Sequence, residues 1–114
     1  MGDSIFCKII NGEIPSKKLY EDDKVYAFYD RNPEAPVHFL VIPKEHIESA
    51  NALDDNNSNI VSHIFSVINK LTKELNIADK GYRIVNNCGE DGGQTVQHIH
   101  FHVLGGRNLN WPPG

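Results

Sequence analysis

The stretch His98-Ile99-His100-Phe101-His102-Val103-Leu104 constrains this chain more than any other. Histidines alternate with apolar residues at a period of two, the period of a β-strand with one buried face. On such a strand Ile99, Phe101 and Val103 point one way and the three histidines the other. Successive histidine Cα atoms then lie about 6.6–6.8 Å apart, and the outer pair about 13 Å apart. On a helix the same residues would scatter around the axis. Imidazole titrates near neutrality, with an ordinary pKa of about 6.5. Three imidazoles on one face repel one another when protonated unless something anionic sits opposite. The pattern therefore predicts a strand over 98–104 that offers a row of imidazoles to an anion.

The rest of the chain supplies a sheet for that strand. Ile5, Phe6, Ile9 and Ile10 recur at helical spacing before Asn11-Gly12, which predicts a short helix with a left-handed stop. Its stripe faces either the core or a ligand pocket. Strands are expected over 18–21 and 25–30, joined by the charged turn Glu21-Asp22-Asp23-Lys24. In the second, Val25, Ala27 and Tyr29 face one way and Tyr26, Phe28 and Asp30 the other. The β-branched run from Val37 to Ile42 reads as a central strand closed by Pro43. His38 interrupts it, either as a satisfied core residue or as a site residue. Lys44 to Leu53 is a loop or a turn or two of helix. Ile60, Val61, Ile64, Phe65, Ile68, Leu71 and Leu75 mark the main helix, expected over 55–76, with His63 solvated at the edge of its polar face. A strand over 82–86 and the loop from Asn87 to Gly93 lead into the histidine strand. The order helix, three strands, helix, two strands predicts an α+β fold: a largely antiparallel five-stranded sheet, one long helix and a short N-terminal helix.

A length of 114 residues predicts a single domain over 1–114. The net charge of −4 gives no global field for nucleic acid or an anionic membrane, so any anion is bound by local groups. Cys7 and Cys88 form no CxxC pair and read as reduced thiols. With no apolar leader and no spanning segment, a cytoplasmic location is expected, without nucleic-acid or membrane partners.

Two chemistries suit the histidines. His98, His100 and His38 could share a zinc ion, but Zn–N bonds of about 2.0–2.1 Å forbid all three of the row from converging on one ion. An anionic phosphoryl substrate suits them better. Gly92-Gly93-Gln94-Thr95 directly precedes the row, and glycines there let backbone N–H groups approach an anion. Neutral imidazole attacks phosphorus without a strong base and departs well as imidazolium. A neighbouring histidine can set the tautomer of the central one, and another can protonate a leaving group.

The histidine stretch is similar to the signature of the histidine triad family. So are Asp3-Ser4-Ile5-Phe6-Cys7-Lys8-Ile9-Ile10, Ala35 through Lys44, Asp91 through Val96, and Gly105-Gly106-Arg107 through Trp111-Pro112-Pro113-Gly114. The ending resembles the Hint branch more than the Fhit branch, which hydrolyses dinucleoside polyphosphates. The resemblance implies a purine nucleoside phosphoramidase that releases the nucleoside monophosphate through a nucleotidyl-histidine intermediate. The alternatives are a nucleotide-binding adaptor homodimer with incidental turnover and a dinucleoside polyphosphate hydrolase. His100 would be the nucleophile. His102 would bind phosphate oxygens and relay a proton to the leaving amine, with His98 and His38 in a supporting network. The resemblance also places Asp30 at the ribose hydroxyls. Asn87, Gly93, Gln94 and Thr95 fall at the nucleotide, and Ile5, Phe6, Ile9 and Phe28 around the purine. Thr95 stands where Ser is usual, and Arg31 where an apolar residue is common. A homodimer is implied, with Trp111 near the partner's site. Some relatives hold a structural zinc through a CxxC pair and two histidines. Ser4 replaces the first cysteine here and leaves Cys7, His46 and His98, so no metal or other cofactor is expected.

Overall fold

A computed structural model describes residues 4–114; Asp3 of the N-terminal motif lies outside the described residues. The elements are α1 (Ile5–Ile10), β1 (Lys18–Glu21), β2 (Val25–Tyr29), β3 (Val37–Pro43), a 3₁₀ turn (Ala50–Ala52), α2 (Asn59–Glu74), β4 (Tyr82–Val85) and β5 (Phe101–Gly105). The strands form one sheet in the order β1-β2-β3-β5-β4, with every neighbouring pair antiparallel. This is the expected α+β architecture. β5 lies between β3 and β4, so the histidine segment enters the sheet interior beside the strand that carries His38.

The period of two sorts the strand residues onto two faces. Val25, Ala27, Phe39, Val41, Phe101 and Val103 pack against Ile64, Val67, Ile68 and Leu71 of α2. Tyr26, Phe28, Leu40 and Ile42 point the other way and pack against Phe6 and Ile9 of α1. Ser4 caps α1 by accepting the Cys7 N–H at 3.1 Å, and Gly12, at φ +80°, ends the segment as the Asn-Gly pair implies.

Three expectations are corrected. The main helix starts at Asn59, not 55, because Asp54 Oδ1 accepts the N–H groups of Asn56 and Asn57 in a turn ahead of it. It stops at Glu74, because Asn76 adopts φ +61°. The histidine strand is shorter than its alternation suggests. The β3–β5 ladder runs from Val37↔Gly105 to Val41↔Phe101, which leaves His98, Ile99 and His100 outside it. Pro43 has no N–H with which to extend the ladder. Its carbonyl instead accepts His98 Nε2–H at 2.8 Å, while Asn86 Nδ2 donates to the His100 carbonyl at 2.9 Å. His63 is not simply solvated: its Nε2 lies 2.8 Å from Asp22 Oδ2 and ties α2 to the β1–β2 turn. No helix among the described residues is long and apolar enough to cross a membrane.

Candidate active site

The register builds the site. His102 on β5 is opposite Leu40 on β3, and His38 is two residues from Leu40, so His38 and His102 are diagonal neighbours on one face. Their rings meet, with His38 Nε2 2.9 Å from His102 Nδ1. Asp30, at the end of β2, brings Oδ2 to 3.4 Å from His38 Nε2 and 3.8 Å from His102 Nδ1. His100 sits one step back, its ring centroid 5.2 Å from that of His102. Phe6 of α1 meets the His100 ring edge-on at 5.0 Å.

Each ring's partners assign its proton. His100 Nδ1 lies 2.7 Å from the His98 carbonyl, which only accepts, so Nδ1 carries the proton and Nε2 keeps its lone pair. His38 Nδ1 accepts the Glu34 backbone N–H at 3.0 Å, so its proton is on Nε2 and is donated to His102 Nδ1. Neutral His102 then carries its own proton on Nε2. The result is a bare His100 Nε2 beside a His102 N–H.

Burial favours the neutral forms. It lowers the pKa of His100, against the opposing effects of the His98 carbonyl and Asp30. His38 is lowered by burial despite Asp30 and Glu34. His102 is pushed down to about 4, by burial first and then by its neighbours His100 and His38. It is therefore a group whose proton affinity rises when an anion arrives beside it.

These rings line a cavity of about 750 Å³. Ile5, Phe6, Ile9, Phe28, Leu40 and Val96 form its apolar wall, and Thr95, Lys17, Asp30 and Arg31 add polar and charged groups. The volume lies in the range of small-molecule sites, about 300–1,000 Å³. The α1 stripe thus serves both readings at once: Phe6 and Ile9 are buried core residues and also wall. A shallower depression of about 800 Å³ along Glu45, Glu48 and Gln97 contains none of His38, His100 or His102.

Other expected site residues lie elsewhere. The His98 side chain is fully buried and turned from the cavity, so its contribution to His100 is its carbonyl. Gln94 has both ends of its amide committed: Oε1 accepts from Gly89, and Nε2 donates to the Glu48 and Val96 carbonyls. It shapes the loop instead of facing a ligand. Gly93, at φ +82°, is in the turn and off the cavity lining, as is Asn87. A Cβ at Gly92 would collide with the Cys88 carbonyl, so these glycines fold the loop back and leave Thr95 to reach the cavity. Trp111 is 80% exposed and sits over the Arg83 guanidinium.

Among the described residues, two clusters have metal-ligating composition. In Asp30–His38–His102 the His38 proton occupies the nitrogen that faces the other two, which opposes a cation there. Cys7–His46–His98 fits better. Cys7 Sγ lies 3.6 Å from the Nδ1 atoms of both His46 and His98. Donors bonded to one tetrahedral zinc at about 2.0–2.3 Å are separated by roughly that distance. His98 donates its other nitrogen to Pro43, as metal-bound histidines do. The fourth position is met by Ser4 Oγ, 3.0 Å from His98 Nδ1 and 3.4 Å from Cys7 Sγ. A neutral hydroxyl is a weaker donor than a thiolate, so the cluster is a three-donor set with a weak fourth. Ser4 thus leaves the set without a fourth strong donor, while the three remaining donors are brought together.

Comparison with known proteins places this arrangement. The model of the HIT domain matches residues 11–109. The chain is 46% identical over 113 residues to a Zea mays protein called "14 kDa zinc-binding protein", covering 97% of this chain and 88% of that one. Among solved structures it superposes on a histidine triad protein from Clostridium difficile with TM-score 0.93 and 55% identity, over 96% of both chains. A HIT family hydrolase from Legionella pneumophila gives TM-score 0.96 at 45% identity, over 98% of this chain and 100% of that one. A histidine triad nucleotide-binding protein from Candida albicans gives 0.81 at 40%, over 96% and 83%.

Proposed function

The chain belongs to the HIT domain family, and on that footing we propose that it hydrolyses the P–N bond of purine nucleoside 5′-phosphoramidates through a nucleotidyl-histidine intermediate. The observation that carries the reading is the bare His100 Nε2 next to a His102 N–H on the floor of a nucleotide-sized cavity. The purine lies against Ile5, Phe6, Ile9 and Phe28, the ribose hydroxyls meet Asp30, and Thr95 hydrogen-bonds the phosphoryl oxygens. The nucleotide-binding relative from Candida albicans is in keeping with that placement.

The steps follow from the protons. Phosphoryl oxygens beside His102 raise its proton affinity from the low value of the empty site, and it takes up a proton on Nδ1, whose N–H then turns with that of His38 Nε2 toward Asp30 Oδ2. Asp30 Oδ2 offers compensating charge to the imidazolium. His100 Nε2 attacks the α-phosphorus while its Nδ1–H stays on the His98 carbonyl, which orients the ring and stabilises the cation that forms. An amide anion leaves poorly, so the His102 Nε2 proton passes to the leaving nitrogen as the P–N bond breaks. The bare His102 nitrogen then takes a proton from the attacking water. The P–Nε2 bond cleaves, and its electron pair returns to His100.

Zinc, for which the Zea mays relative is named, would be held by Cys7, His46 and His98 with Ser4 beside them. It would brace α1 against the segment that carries the nucleophile and supply no reacting group. The reading includes a reducing cytoplasmic setting for the free thiols Cys7 and Cys88. It also includes a homodimer, for which Trp111, Phe65 and the outer edge of β4 are available surface.

The test is a side-by-side assay of adenosine and guanosine 5′-phosphoramidates, a dinucleoside polyphosphate, and AMP binding. Turnover of the phosphoramidates well above the dinucleotide supports the reading. AMP binding without turnover of either would replace it with the adaptor.

A further inference from the structure

We propose that Arg107 is a positioning residue that holds the proton of His38 on the nitrogen facing His102. The inference rests on the proposed roles of His100 and His102, but its first observable does not. The direction of the His38–His102 hydrogen bond is set at His38 Nδ1, which accepts the Glu34 backbone N–H at 3.0 Å, with Asp30 Oδ2, 3.4 Å from Nε2, favouring the proton on the same side. While that N–H is in place, His38 keeps its proton on Nε2 and His102 keeps its own on the nitrogen left for the cavity. Without it, His38 can move its proton to Nδ1 and offer a bare Nε2. His102 then turns its proton inward, and before any proton uptake its cavity nitrogen meets the arriving phosphoryl group without the N–H that orients it.

Glu34 sits in the short loop between β2 and β3, and the hook that follows β5 braces that loop twice. Arg107 donates Nε–H and Nη2–H to the Glu34 carbonyl at 3.0 and 2.8 Å. Its Nη1 is tied to the Asn108 carbonyl at 3.0 Å, so the fork is held at both ends. Independently, Gly106 adopts φ +93° and passes so close to Pro36 that a Cβ there would lie 2.9 Å from the proline Cβ. Only glycine suits both demands. The guanidinium lies outside the cavity lining and acts through Glu34. The hook begins at Gly105, which pairs with Val37 and ends the same strand that carries His102. Both partners of the His38–His102 bond are thereby fastened to one another through the backbone. A planar fork of donors on one oxygen is a geometry that lysine does not reproduce.

The test uses Arg107→Met, Arg107→Lys and Gly106→Ala, read first by nitrogen-15 NMR of the histidine rings in the substrate-free protein. In the wild type, His38 shows a bare Nδ1 and a protonated Nε2. In Arg107→Met its two nitrogens move toward averaged shifts. The value of kcat on a nucleoside phosphoramidate falls by about tenfold to a hundredfold, as displacements of about 1 Å at a reacting group do, while KM changes little. Arg107→Lys recovers only part of both losses and carries the test should Arg107→Met fail to fold. Gly106→Ala gives the same ring signature. Unchanged His38 shifts with unchanged kcat in the arginine variants overturn the inference. Averaged shifts in a protein whose wild type shows no phosphoramidase turnover sustain the positioning role and overturn the proposed function instead.

Discussion

On one face of the sheet the 16-residue helix α2 seals a core in which Ile64, Ile68 and Leu71 are at most 1% exposed. On the other face the six-residue α1 packs on Tyr26, Phe28, Leu40 and Ile42, and the space beside it is the cavity. Both faces follow the same period of two, yet one is hydrocarbon apart from Thr72, whose hydroxyl donates back to the Asn69 carbonyl, and the other mixes hydrocarbon with the imidazoles of His38, His98, His100 and His102 and the Asp30 carboxylate. The helix lengths make the difference. A long amphipathic helix removes a whole face from water. A short one buries Phe6 and Ile9 and leaves polar groups within reach of a ligand. Burial at this second face is deep enough to keep the histidines neutral while leaving the cavity open to a ligand.

Substitutions should separate the two faces. The largest effect is expected for His100→Ala, with kcat/KM on a nucleoside phosphoramidate falling at least about a thousandfold, or about 4 kcal/mol, at near-unchanged Tm. Near wild-type rates would remove His100 as nucleophile. On the sealed face, Leu71→Ala should cost about 2–5 kcal/mol of stability by denaturant titration, with turnover per folded molecule intact. A selective loss of kcat would show that the faces are coupled.

Acid should act through the cavity face. The pKa values of His38, His98, His100 and His102 are lowered by burial, so the unfolded chain binds protons more readily than the folded one. Their contribution to stability is complete above the ordinary imidazole pKa of about 6.5 and is lost as pH falls below it. For His102 the loss continues to about 4. Thermal unfolding should show Tm dropping from pH 7 to pH 4, with the same slope in Leu71→Ala and a shallower one in His102→Asn. A pH-independent Tm would contradict the burial argument. The smallest effect is expected for His63→Ala. It removes a half-exposed tie between α2 and Asp22 and should cost under about 1 kcal/mol, with activity unchanged.

Much of the sheet was legible because alternation at a half-buried strand is a direct record of its two faces. Val25, Ala27, Tyr26 and Phe28 sort as their spacing implies, and the stripe of α2 needs only a period near 3.6. What alternation does not record is where a ladder ends. His98 shares the spacing of His100 and His102, but Pro43 lacks the N–H that would keep it in register, and it turns into the interior toward Cys7 and His46. Alternation and composition also do not record hydrogen bonds: Gln94 reads as a polar residue beside a site, and only the fold shows its amide tied to Gly89, Glu48 and Val96. Arg107 and the Glu34 backbone were invisible as partners. They are 73 residues apart, and no side-chain pattern marks a carbonyl as an acceptor.

The most direct measurement is mass spectrometry of the protein quenched during turnover of adenosine 5′-phosphoramidate, with the modified residue located by fragmentation. Our reading requires a nucleotidyl adduct on His100 that is absent from His100→Ala. Steady turnover with no adduct, or an adduct on His102, would contradict it.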